Sequence, residues 1–126
     1  MSKLKNEIQG CMTGLSRNKE GVLAADFYFP KTFIGFRGHF PGKPILPGVC
    51  KIQATLLMLE EFKQKNILLK EVTLAKFFSP VTCNEKINFN IKEQLEPNGQ
   101  ICVKAIITGG NRKIAQLHLR LAIIDK

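Results

Sequence analysis

The sequence has 126 residues, 44% of them hydrophobic and 23% charged, the size and make-up of one globular domain expected over residues 1–126. Nineteen Lys and Arg against ten Asp and Glu give a net charge of +9, which calls for an acidic partner: nucleic acid, an anionic membrane or an acidic protein. No apolar run approaches the ~20 residues that cross a bilayer, and the charged opening residues lead into no secretory segment.

Cys11, Cys50, Cys83 and Cys102 are widely spaced, with no Cys-x-x-Cys pair and two histidines in all. A zinc site or disulfide framework is therefore not expected. Reduced thiols in the cytoplasm, packed as small hydrophobes, are.

In chain order, Leu23, Ala25, Phe27 and Phe29 alternate with Val22, Ala24, Asp26 and Tyr28, the mark of an early strand. From Gly48 to about residue 65 there is no further Gly or Pro, and Val49, Ile52, Leu56, Leu59 and Phe62 recur at helical spacing. Leu56, Leu57, Met58 and Leu59 make that helix apolar on every side, so a buried helix is predicted, polar only at its far end. Ile87, Phe89 and Ile91 alternate with Asn88, Asn90 and Lys92; Pro97-Asn98-Gly99 turns the chain; Ile101, Val103, Ala105 and Ile107 return. After Gly109-Gly110-Asn111 a last strand sets Leu117, Leu119, Leu121 and Ile123 against Gln116, His118 and Arg120. His118 reads as solvent-facing. The pattern predicts an antiparallel meander curled around one helix, an α+β class.

The segment before the helix is unusual. Pro41, Pro44 and Pro47 alternate with Gly38, Gly42 and Gly48 around His39. Fixed proline φ angles make this a stiff loop. Taken alone it is either a rigid crossover with a structural histidine or a site.

Gly38-His39-Phe40-Pro41-Gly42-Lys43-Pro44-Ile45-Leu46-Pro47-Gly48-Val49 resembles the signature loop of the FabZ-type (3R)-hydroxyacyl-(acyl carrier protein) dehydratases. Ala75-Lys76-Phe77-Phe78-Ser79-Pro80-Val81 is similar to that family's later segment, in which a strand meets a proline. The resemblance runs from about residue 20 to the end. It implies a hot-dog fold and a dimer, often a trimer of dimers. It also implies removal of water from a 3-hydroxyacyl thioester to give the trans-2-enoyl product. The substrate would ride on the 4'-phosphopantetheine arm of acyl carrier protein, with no cofactor or metal in the enzyme.

Residue by residue, the resemblance makes His39 the loop histidine and Gly48 the backbone N–H that polarises the thioester carbonyl. Phe40, Pro47 and Val49 would contact substrate. The chemistry needs a base for the α-proton and an acid for the departing hydroxyl. The family's carboxylate, supplied by the other subunit, falls on Gln53, which has no titratable proton near neutrality. Glu60 and Glu61 lie about 10 Å further along the helix.

Acyl carrier proteins are acidic, so Arg37, Lys43 and Lys51 are expected to face the partner. Nucleic acid is the weaker partner, since no basic helix or aromatic-basic interleaving is present. Three functions stand: a dehydratase with a replaced acid, a non-catalytic acyl-chain-binding paralogue or partner subunit, and a hot-dog thioesterase. The third is weakened because it too needs a carboxylate.

Overall fold

The computed structural model describes residues 3–36 and 45–124. Its elements are α1 (Lys3–Gly10), β1 (Met12–Arg17), β2 (Leu23–Tyr28), a short 3-10 turn (Ile34–Phe36), α2 (Gly48–Lys63), β3 (Asn66–Phe77), β4 (Lys86–Leu95), β5 (Ile101–Gly109) and β6 (Arg112–Ile124). The six strands form one sheet in the order β1-β2-β4-β5-β6-β3, antiparallel at every pairing.

The alternation read from the sequence is the alternation of burial. Leu23, Ala25, Phe27, Ile87, Phe89, Ile91, Val103, Ala105, Leu117, Leu119 and Leu121 all turn inward. Phe27 sits at the centre of an aromatic group, its ring centroid 4.8 Å from that of Phe89 and 5.8 Å from that of Phe29. The β4-β5-β6 meander is present as expected, with the β4 register running from Asn88 opposite Thr108 to Leu95 opposite Ile101.

β3 is the strand the pattern did not reveal in full. Its pairing with β6 slips between Leu69 and Glu71 and again between Val72 and Leu74. Each slip moves an apolar side chain out of strict alternation. It is also an edge strand, with Leu68, Val72 and Phe77 exposed. At the other end, α1 and β1 lie in the stretch that carried no periodic signal. α1 is anchored by the buried Ile8 and held to α2 by Lys5–Glu60 at 2.6 Å and Gln9–Glu61 at 2.7 Å.

α2 runs from Gly48 to Lys63 and stops where Gln64 takes a left-handed conformation (φ 54°), its N–H donating to the Glu60 carbonyl at 2.8 Å. Cys50, Ala54, Leu57, Met58 and Leu59 are buried. The expectation of a helix covered on every side needs correcting at its start. Val49 is 55% exposed and Ile52 and Gln53 are half-buried, so the sheet of one chain leaves this face open. No helix among the described residues is long and apolar enough to cross a membrane.

Candidate active site

The chain enters α2 through a short tethered segment. Ile45 bridges to Thr82, and the Leu46 N–H donates to the Val81 carbonyl at 2.8 Å, fixing residues 45–47 beside the approach to β4. Pro47 follows in an extended conformation (φ −63°, ψ 149°) and gives no side-chain hydrogen bond to the first turn of α2. A helix start that no side chain caps keeps N–H groups and positive potential available to a carbonyl or anion.

Phe77, at the end of β3, closes one side of this helix start. A Cβ added to Gly48 would stand 2.9 Å from the Phe77 ring, so the close approach depends on glycine. Between them opens a cleft of about 340 Å³ lined by residues that include Pro47, Gly48, Lys51, Phe77, Ser79 and Pro80. Thus the two segments that carried the resemblance, the loop's end and residues 75–81, meet at one place.

Lys51 is the unexpected member. Read as a partner-facing surface cation, it is instead 3% exposed. Its side chain turns back along the helix, Nζ donating to the Leu46 carbonyl at 3.3 Å and lying 5.1 Å from the Phe77 ring centre. In that position it presents no charge to an approaching protein surface. Burial lowers its pKa, and the neighbouring Cys50 acts weakly in the opposite direction. Cys50 itself is buried, and its thiol is pushed up to about 11 by that burial.

Gln53 is half-buried on the open face of α2 and does not line the cleft. Two residues of helix separate it from Lys51, about 200° of rotation at 3.6 residues per turn, so the two side chains leave the helix on nearly opposite sides. Val49 shares the open face with Gln53. Arg37, His39, Phe40 and Lys43 lie outside the described residues. Glu60 is engaged by Lys5 and by the Ile67 N–H at 3.0 Å, and Glu61 by Gln9, so neither takes the place of an acid at the cleft. His118 is half-buried in β6, its Nε2 3.0 Å from the Gln116 amide, and is not among the residues lining the cleft.

Reading the sequence missed Phe77 as the cleft wall and Lys51 as a cleft group. The signal for the second was present: a lone lysine between Cys50 and Ile52 on an apolar helix start.

A family model described as ApeI dehydratase matches residues 15–113. The 3-hydroxyacyl-(acyl-carrier-protein) dehydratase FabZ of Nitratiruptor sp. is 34% identical over 107 residues, covering 72% of this chain and 70% of that one. The FabZ of Ligilactobacillus salivarius is 32% identical over 95 residues, covering 70% and 68%. Among solved structures, the dehydratase heterocomplex ApeI:P from Xenorhabdus doucetiae superposes with a TM-score of 0.72 at 19% identity, over 88% of this chain and 96% of that one. An uncharacterized protein from Erwinia carotovora superposes with a TM-score of 0.68 at 17% identity, over 90% and 93%. The structural likeness is one of fold, and that fold is the hot dog. Because the family match takes in the loop, α2 and the strands flanking the cleft, this chain belongs to the ApeI-like dehydratase family of FabZ-type hot-dog proteins.

Proposed function

We propose that the protein dehydrates 3-hydroxyacyl thioesters carried by acyl carrier protein, slowly, because Gln53 stands where the family places its carboxylate. The observation that carries the reading is the meeting of the signature loop's end with an uncapped helix start over an apolar cleft. The Gly48 N–H, at the positive end of α2, polarises the thioester carbonyl and acidifies the α-carbon. His39 takes the α-proton. Gln53 holds the 3-hydroxyl by hydrogen bonding and has no proton to give it.

The working unit in this reading is a homodimer in which His39 of one protomer and Gln53 of its partner approach one substrate. Its support is the open face of α2 with Val49 and Gln53, together with the edge of β3 bearing Leu68 and Val72, which no strand among the described residues pairs. An uncovered twelve-residue edge invites a second strand. Arg37 and Lys43 meet the acidic carrier protein in this assembly.

A second reading is favoured by Gln53 together with the heterocomplex named for the Xenorhabdus structure. In it, the chain is the acid-poor subunit of a mixed dimer whose other subunit supplies a carboxylate. The experiment that separates the two follows the absorbance of the enoyl thioester formed by the purified protein alone. Turnover by the homo-oligomer supports the first reading. Turnover that appears only on adding a carboxylate-bearing relative supports the second.

A further inference from the structure

We propose that Lys51 gives the proton to the departing 3-hydroxyl group, the task that a carboxylate performs in the family and that Gln53 cannot. The inference rests on the dehydratase reading above and adds the identity of the acid.

The geometry is that of a proton donor held beside the group that activates the substrate. Lys51 and Gly48 line the same cleft, and among the described residues Lys51 is the one titratable side chain that lines it. Its ammonium lies by the Phe77 ring and, among the described residues, makes one hydrogen bond, to the Leu46 carbonyl, leaving donors over. Among the described residues no carboxylate pairs with it. A cation 97% removed from solvent without a counter-ion is costly, and an apolar side chain of equal length would fill the same space. Gln53 and Lys51 leave α2 on nearly opposite sides, so in the proposed dimer Gln53 turns to the partner's site while Lys51 stays with its own chain's Gly48.

Among the described residues, the groups facing the ammonium are the Leu46 carbonyl before the helix, Cys50 on it and Phe77 from β3, with Phe78, Ser79 and Pro80 lining the same cleft. Cys50 is the titratable one. Burial lowers the Lys51 pKa, which makes its ammonium a stronger acid than an exposed lysine. The step balances: His39 removes the α-proton, the electron pair forms the C2–C3 double bond, the C3–O bond breaks, and the oxygen leaves as water with the Lys51 proton. The imidazolium proton then returns to the Lys51 amine through solvent.

The test measures kcat and KM on a 3-hydroxyacyl thioester against pH for the natural protein, Lys51→Met, Lys51→Arg, Gln53→Glu and the double variant Lys51→Met/Gln53→Glu. Folding of each is checked first by circular dichroism. Lys51→Met is expected to lower kcat by about 10²-fold with KM within about threefold, and to remove the fall of rate at alkaline pH. Lys51→Arg keeps a cation that does not release its proton, and is expected to fail equally. Gln53→Glu is expected to restore turnover in the Lys51→Met background. An unchanged rate and pH profile in Lys51→Met, or full activity in Lys51→Arg, overturns the proposal. A natural protein without turnover beside an active Gln53→Glu also overturns it, and leaves standing the mixed-dimer reading, in which the other subunit supplies the carboxylate. No turnover in any variant overturns both.

Discussion

The ammonium of Lys51 lies 5.1 Å from the centre of the Phe77 ring, beneath an aromatic side chain that is itself half exposed. The ring offers a cation its negative face, but it replaces only part of the lost hydration. The folded-state pKa of Lys51 is lowered from 10.5, so below that folded value the charged lysine opposes folding, and the opposition fades as pH rises towards 10.5. Lys51→Met is therefore expected to raise stability at pH 7 by on the order of 1 kcal/mol. The gain should shrink near pH 10, and urea denaturation at both pH values reads it.

Cys50, next on the helix, has the opposite dependence. Its thiol pKa is raised from 9.0 to about 11, so its contribution is present below pH 9 and is lost as pH rises through about 11. The same burial keeps the thiolate scarce. Iodoacetamide at pH 8 is expected to leave Cys50 unmodified in the native protein and to alkylate it in urea, as peptide mass spectrometry would show. Native-state labelling of Cys50 faster than that of the half-buried Cys83 would contradict its placement.

The core makes a quantitative demand of its own. Phe89 is fully buried and packs its ring 4.8 Å from that of Phe27, across the β2-β4 pairing. Phe89→Ala removes both the apolar area and the ring contact, and is expected to cost about 3–5 kcal/mol. Chemical denaturation measures it. A loss below about 1 kcal/mol would mean that the two strands are not packed as described.

Much of this was legible in the sequence because β2, β4, β5 and β6 bury every second residue, mostly an apolar one, over most of their length. β3 was not, because its two slips in register against β6 break the period just where Leu69, Val72 and Leu74 would have shown it. The helix start misled for a different reason. Four apolar residues in a row at Leu56–Leu59 announced burial, but nothing local says that Val49 and Gln53 look away from the chain's own sheet. In the sequence alone Lys51 reads as a surface charge, because lysines usually are. Its burial is made by Phe77 and Leu46, the first of which is remote in sequence, and only the fold brings it over the helix.

The charge of +9 gives a prediction about encounter. If it serves an acidic carrier protein, affinity for acyl carrier protein falls steeply between low and high salt, since exposed charges are screened beyond about 8–10 Å. Arg37→Glu or Lys43→Glu is expected to slow association and leave folding stability within about 0.5 kcal/mol. Stopped-flow association and thermal denaturation check the two halves. Salt-independent binding, or preferential binding of DNA under the same conditions, would contradict the assignment.

One comparison tests most directly whether Gln53 stands in place of the acid. Gln53→Glu exchanges an amide for a carboxyl of nearly equal volume at a half-buried position, so the fold should accept it. The measurement is the rate of enoyl thioester formation by the natural protein and by Gln53→Glu, under the same conditions and after both are shown to be folded. General acid catalysis contributes ~10²–10⁴ in rate and a carboxyl is a stronger acid than the Lys51 ammonium, so Gln53→Glu should raise turnover at least about tenfold, and His39→Ala in that background should abolish the gain. A natural protein as fast as a competent dehydratase, with no gain from Gln53→Glu, would contradict it.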